Sequence, residues 1–162
     1  MPDARSWIAF SLSSSQQVID FFLADLKPEE YLHRPAPKAN CAAWIVGHLT
    51  LAERRWLREL GAGDLPSLPE GFEKRFARDE QAPAACEFGD VSILRPLFNS
   101  HRQRLVDSVK MMDQAKLDQP LAKPHPRFST LGELLQFASI HTAMHAGQIS
   151  TIRRSLGRPP LI

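Results

Sequence analysis

Only two of the 162 residues are cysteine, Cys41 and Cys86, and no CxxC spacing links them. That excludes a disulfide-framed fold and a cysteine-based zinc motif, and both are expected to be reduced thiols. An excess of one charge is also missing: 20 Lys and Arg face 18 Asp and Glu, a formal +2, spread along the chain. Without a polybasic tract or a basic patch interleaved with aromatics, no nucleic-acid partner is expected. The opening residues Met1 to Trp7 contain no apolar segment of signal-peptide type, and no uninterrupted apolar run reaches the length of a membrane span. The expectation is a soluble, cytoplasmic protein with no membrane partner, folded as one domain over residues 1–162. Period-two alternation is absent as well, which leaves no strand candidates.

What the chain does contain is helical periodicity. Ile8, Leu12, Ser15, Ile19, Phe22 and Leu26 share one face, widened by Val18 and Phe21, until Pro28 stops the first pattern. Asn40 is a plausible N-cap for a second helix, whose stripe of Cys41, Ile45, His48, Ala52 and Trp56 ends at Gly61. A third stripe runs Leu94, Phe98, His101, Leu105, Val109 and Met112, with Pro96 near its start. In the fourth, Thr130 and Glu133 have capping-box spacing, Leu134, Ala138, His141, His145, Gln148 and Ile152 share a face, and Gly157 with Pro159 terminates it. Four amphipathic helices predict an all-α four-helix bundle, in which each apolar stripe is covered by the others. The stretch from Gly61 to about Asp90 holds Pro66, Pro69 and Pro83 and is too long for a tight turn. It reads as a crossover between helices two and three, with Phe72 and Phe76 marking a short helix laid on the body that can cap a site or supply a dimer contact.

His141 and His145 are four apart on the fourth helix, so their imidazoles leave one face together. His48 sits on the inward stripe of the second helix. Three imidazoles directed inward can share one metal ion, which removes the cost of burying each polar ring alone; neutral imidazole suits zinc, nickel, copper and iron. The competing reading is three packed, hydrogen-bonded core histidines. Thr142 follows His141 where a zinc peptidase helix carries its glutamate base, which argues against peptidase chemistry. Any catalysis would then rely on the metal's own activation of a water or thiol at an open coordination position. Weaker candidates surround this set. His101 is a supporting partner or a packing residue, and Gln148 either bonds a ligand or closes the helix packing. Cys41 is a thiolate ligand or a small buried apolar residue. His33 and His125 read as solvated loop histidines, and Arg153-Arg154 as a water-facing complement to the helix dipole that an anionic substrate could recruit.

Two segments carry a family resemblance. Trp44-Ile45-Val46-Gly47-His48-Leu49 is similar to W-x-x-G-H-L, and His141-Thr142-Ala143-Met144-His145-Ala146-Gly147-Gln148-Ile149 to H-x-x-x-H-x-G-Q-I, with Arg153 to Pro159 resembling the helix ending that follows. Together they resemble the DinB-like superfamily, also called YfiT-like. The resemblance implies an up-down-down-up bundle, usually a homodimer, with a divalent metal ion on a histidine triad matched here by His48, His141 and His145. Zinc or nickel is expected before manganese or iron. Relatives of this kind include bacillithiol S-transferases and a mycothiol-dependent maleylpyruvate isomerase. The functional expectation is therefore a metal-dependent thiol S-transferase or hydrolase acting on a small molecule, with a low-molecular-weight thiol as cosubstrate. The alternatives are a non-catalytic metal-binding stress-response or sensor module, or a helical dimer without metal.

Overall fold

The computed structural model describes residues 3–77 and 88–161, so the expectations for Pro83 and Cys86 fall outside the described residues. Asp3 opens helix α1 (Ala4–Leu23) by accepting a hydrogen bond from the Ser6 amide at 3.0 Å. Ile8, Leu12, Ser15, Ile19 and Phe22 are buried along it, as their spacing predicts. Val18 and Phe21 do not widen the stripe; both are exposed, because the neighbouring helices cover only one narrow face of α1.

Helix α2 (Ala42–Glu59) is capped by Cys41 rather than Asn40. Cys41 takes the extended backbone of an N-cap, and its carbonyl accepts the first helical bond from Ile45 at 3.1 Å. At the other end the Gly61 and Ala62 amides return to the carbonyls of Arg58 and Leu57. Gly61 needs its left-handed φ of 77° for this closure. The crossover then carries the expected short helix, α3 (Phe72–Phe76), with both phenylalanines buried and therefore not available to a dimer contact.

Helix α4 (Leu94–Met111) follows a 3-10 turn over Val91–Ile93 whose cap is Asp90. Pro96 falls in its first turn, where a missing N–H costs no helical bond. Helix α5 (Leu131–Ser155) has the capping box at Thr130 and Glu133 and closes at Gly157 as α2 does at Gly61.

Contacts along the helices set their directions. Arg153, near the end of α5, reaches the Phe22 carbonyl and Asp25 at the end of α1, while Arg95, at the start of α4, pairs with Asp20 late in α1. The early residues of α2 and α4, Ala42 to Leu49 and Leu94 to Phe98, share one apolar cluster with Phe22, Leu23, Ile149 and Ile152. So α1 and α5 run one way, α2 and α4 the other. Arg153 is accordingly no water-facing dipole partner: it is 2% exposed and satisfies the open carbonyl end of α1.

One guanidinium ties all four long helices. Arg102 of α4 is fully buried; its Nη1 donates to the Leu12 carbonyl (3.1 Å) and Ser15 Oγ (3.2 Å) of α1, and its Nη2 to Glu53 Oε1 of α2 and Thr142 Oγ1 of α5, both at 2.5 Å. Desolvation outweighs the attraction of Arg102 and pushes the Glu53 carboxyl up to about 7.

Candidate metal centre

His48 comes from the middle of α2 and His141 and His145 from consecutive turns of α5, and one ring nitrogen from each lies within 4.8 Å of the others. The sequence places these three together, and the structure does so too. They line the edge of the interior: His48 and His141 are half-buried and His145 is 9% exposed. The Nε2 atoms of His141 and His145 are 3.3 Å apart. Two nitrogens each about 2.05 Å from a tetrahedral zinc ion would be separated by about 3.3 Å. His145 Nδ1 is 2.9 Å from Gln148 Oε1; an N–H donated to that amide oxygen fixes the proton on Nδ1 and leaves the Nε2 lone pair facing His141. Among the described residues the buried Nδ1 of His141 has no hydrogen-bond partner.

Burial, followed by the neighbouring His145 and His48 rings, pushes His141 down to about 3, and burial lowers His145 against the raising effect of Gln148. Neutral imidazoles are the form that binds a metal. Ligand number, ligand chemistry and spacing therefore fit a divalent ion.

Aromatic rings hold these side chains in place. The Trp44 indole stacks on His48 with centroids 4.7 Å apart and planes 7° from parallel. Trp56 presents itself edge-on to His141 at 5.7 Å, and Phe137 lies 6.1 Å from the same ring. Phe76 of α3 packs onto α2 at Gly47, where an added Cβ would stand 2.2 Å from the phenylalanine ring. The glycine before His48 is thus a seat for the crossover.

The remaining candidates disperse. His101 is fully buried in α4 and uses Nδ1 to reach the Leu97 carbonyl at 2.8 Å, apart from the triad. Cys41 is fully buried outside the cluster, its thiol pushed up by desolvation. His33 is not a simple solvated residue: its Nε2 meets Ser155 Oγ at 2.9 Å. His125 is exposed and stacks on Phe128 at 4.6 Å. Gln148 does not close helix packing: it is exposed, and its Oε1 is bonded to His145. Thr142 turns toward Arg102 and the Ala138 carbonyl. Sequence reasoning missed Trp44, Trp56 and Phe137 as walls, although Trp44 and Phe137 each stand four residues before a triad histidine.

Four helices, α1 and α5 running one way and α2 and α4 the other, make a helical bundle with three convergent histidines that could hold a metal ion. The chain belongs to the DinB superfamily, whose family model matches residues 11–149. A crystal structure of a conserved protein from Enterococcus faecalis is similar over 98% of this chain and all of that one, with a TM-score of 0.67 and 17% identity, which is a likeness of fold. No curated protein matches the chain.

Proposed function

We propose that His48, His141 and His145 hold a divalent metal ion and that the protein is a metal-dependent enzyme of thiol-transfer or related hydrolytic type acting on a small molecule. The observation that carries this is the pair of Nε2 atoms 3.3 Å apart, with the other nitrogen of His145 anchored by Gln148. A divalent ion there would supply Lewis-acid activation, stabilising the anionic form of a thiol or water at neutral pH. Three protein ligands leave at least one position for that molecule. Trp44 stacks on His48, while the rings of Trp56 and Phe137 flank His141. The test is conjugation of a panel of low-molecular-weight thiols to a chromogenic electrophile, together with ester hydrolysis, by protein loaded with zinc, nickel or manganese. Turnover that vanishes with chelator is the expected result. Metal uptake without turnover on any substrate would assign the protein to the non-catalytic, metal-binding class instead.

We also propose a homodimer built on α1 and α5. Trp7, Phe10 and Phe21 of α1 and Ile140 and Met144 of α5 are about half exposed or more, an unusual load of large apolar side chains. Next to them on α5, a Cβ at Gly147 would meet nothing within 4 Å, so that part of the face is open to close approach. Sedimentation equilibrium should give a dimer that Phe10→Glu converts to monomer. A native chain that stays monomeric at high micromolar concentration refutes it.

No helix among the described residues is long and apolar enough to cross a membrane.

A further inference from the structure

Beside the triad lies a cavity of about 140 Å³ between the end of α2, the start of α5 and the loop that precedes α5. It shares two walls with the metal centre, because Trp56 and Phe137 line it and both also flank the His141 ring. Phe128 completes an aromatic lining, its ring 4.8 Å from that of Phe137. A cavity of roughly 150 Å³ lined by apolar groups accommodates benzene, so this one accepts a single ring-sized body.

The polar part of the lining has one dominant sign. Arg55, Lys123 and Arg127 contribute three cations, against one carboxylate from Glu59 and the imidazole of His125. Among the described residues none of the three cations is in an ion pair. Arg127 lies over Phe128 and Phe137, 5.4 and 4.9 Å from the ring centroids. Stacking of that kind uses the face of a guanidinium and leaves its N–H edge for a planar anion. The buried Arg102 and Arg153, by contrast, are each matched to a carboxylate, Glu53 and Asp25. Three cations without an ion pair thus border one apolar cavity that adjoins the triad.

We propose that this cavity is a substrate-recognition site that takes a small carboxylate with a ring-sized apolar body, the body against Trp56, Phe128 and Phe137 and the carboxylate against Arg55, Lys123 and Arg127. This deepens, and rests on, the reading of the triad as a metal centre acting on a small molecule. The cavity selects the part of the substrate that does not react and directs the rest past His141.

Benzoate and its neutral analogue benzamide are suitable probes, titrated calorimetrically into the full-length protein at low ionic strength, once stripped of metal and once loaded with zinc. Benzoate is expected to bind both forms, about tenfold tighter than benzamide, and to weaken as salt is added. Arg127→Ala and Arg55→Gln, checked for native helical content, should each cost about tenfold for benzoate with little change for benzamide. Equal affinity for the two probes overturns the proposal. So does benzoate binding that requires zinc and ignores both arginine replacements, since the carboxylate would then be bound to the metal itself. Zinc uptake is measured separately, so a failure of carboxylate selection is distinguishable from a failure of the triad to bind metal.

Discussion

Replacing His145 with alanine is expected to lower divalent-metal affinity by more than about a hundredfold while the helical spectrum stays native. The loss is large because His145 supplies one of the paired Nε2 atoms, and the two remaining ligand nitrogens come from different helices. Gln148→Ala leaves all three ligands in place and removes only the acceptor that fixes the His145 tautomer and ring. Its cost should be smaller, about tenfold. Competition with a chromophoric chelator, backed by elemental analysis, reads both numbers. Equal, negligible metal in the native protein and in His145→Ala would remove the triad from consideration.

Arg102→Met should destabilise the protein by about 3–5 kcal/mol, the usual cost of stranding one member of a buried ion pair. Four bonds to three other helices disappear with the guanidinium, and Glu53 is left fully buried without its cation. Adding Glu53→Leu should restore most of the loss, since a well-packed apolar pair removes the stranded charge. Urea unfolding of the single and double variants tests this; equal stability of Arg102→Met and the native chain would refute the lock. Glu53 also has a pH signature. Its carboxyl is raised from 4.5 to about 7 in the folded protein, so the folded state holds this proton more tightly than the unfolded chain does. The stability it contributes is fully present below about 4.5 and is lost as pH rises through about 7. Measured as the difference between the native protein and Glu53→Gln, that contribution should shrink between pH 5 and pH 8.

The helices and their faces were legible because periodicity and capping are local. Thr130, Glu133, Gly61 and Gly157 mark ends that the backbone then forms. The triad was legible because each histidine interrupts an apolar stripe at a position that must face inward. Arg102 and Glu53 interrupt stripes in the same way, yet their pairing depends on how the helices are arranged, which periodicity does not specify. Arg153 misled for a related reason. A basic residue in the last turn of a helix normally complements its own dipole, whereas here parallel packing presents it with another helix's carbonyl end. The basic cavity was hidden because Arg55 and Arg127 belong to segments brought together only by the fold.

Thr142 bears on how this bundle can change its chemistry. Its hydroxyl sits in the Arg102 network, so the helical position that follows the first triad histidine is already committed to holding the helices together. A glutamate substituted there would meet Glu53 and Arg102 before it met any substrate. New acid or base groups are better accommodated along the α2 rim or the loop before α5, where side chains line the adjoining cavity and take no part in the Arg102 network. The interior face of α5 thus stays under mechanical constraint at this position, and substitutions that spare the bundle fall on its margins.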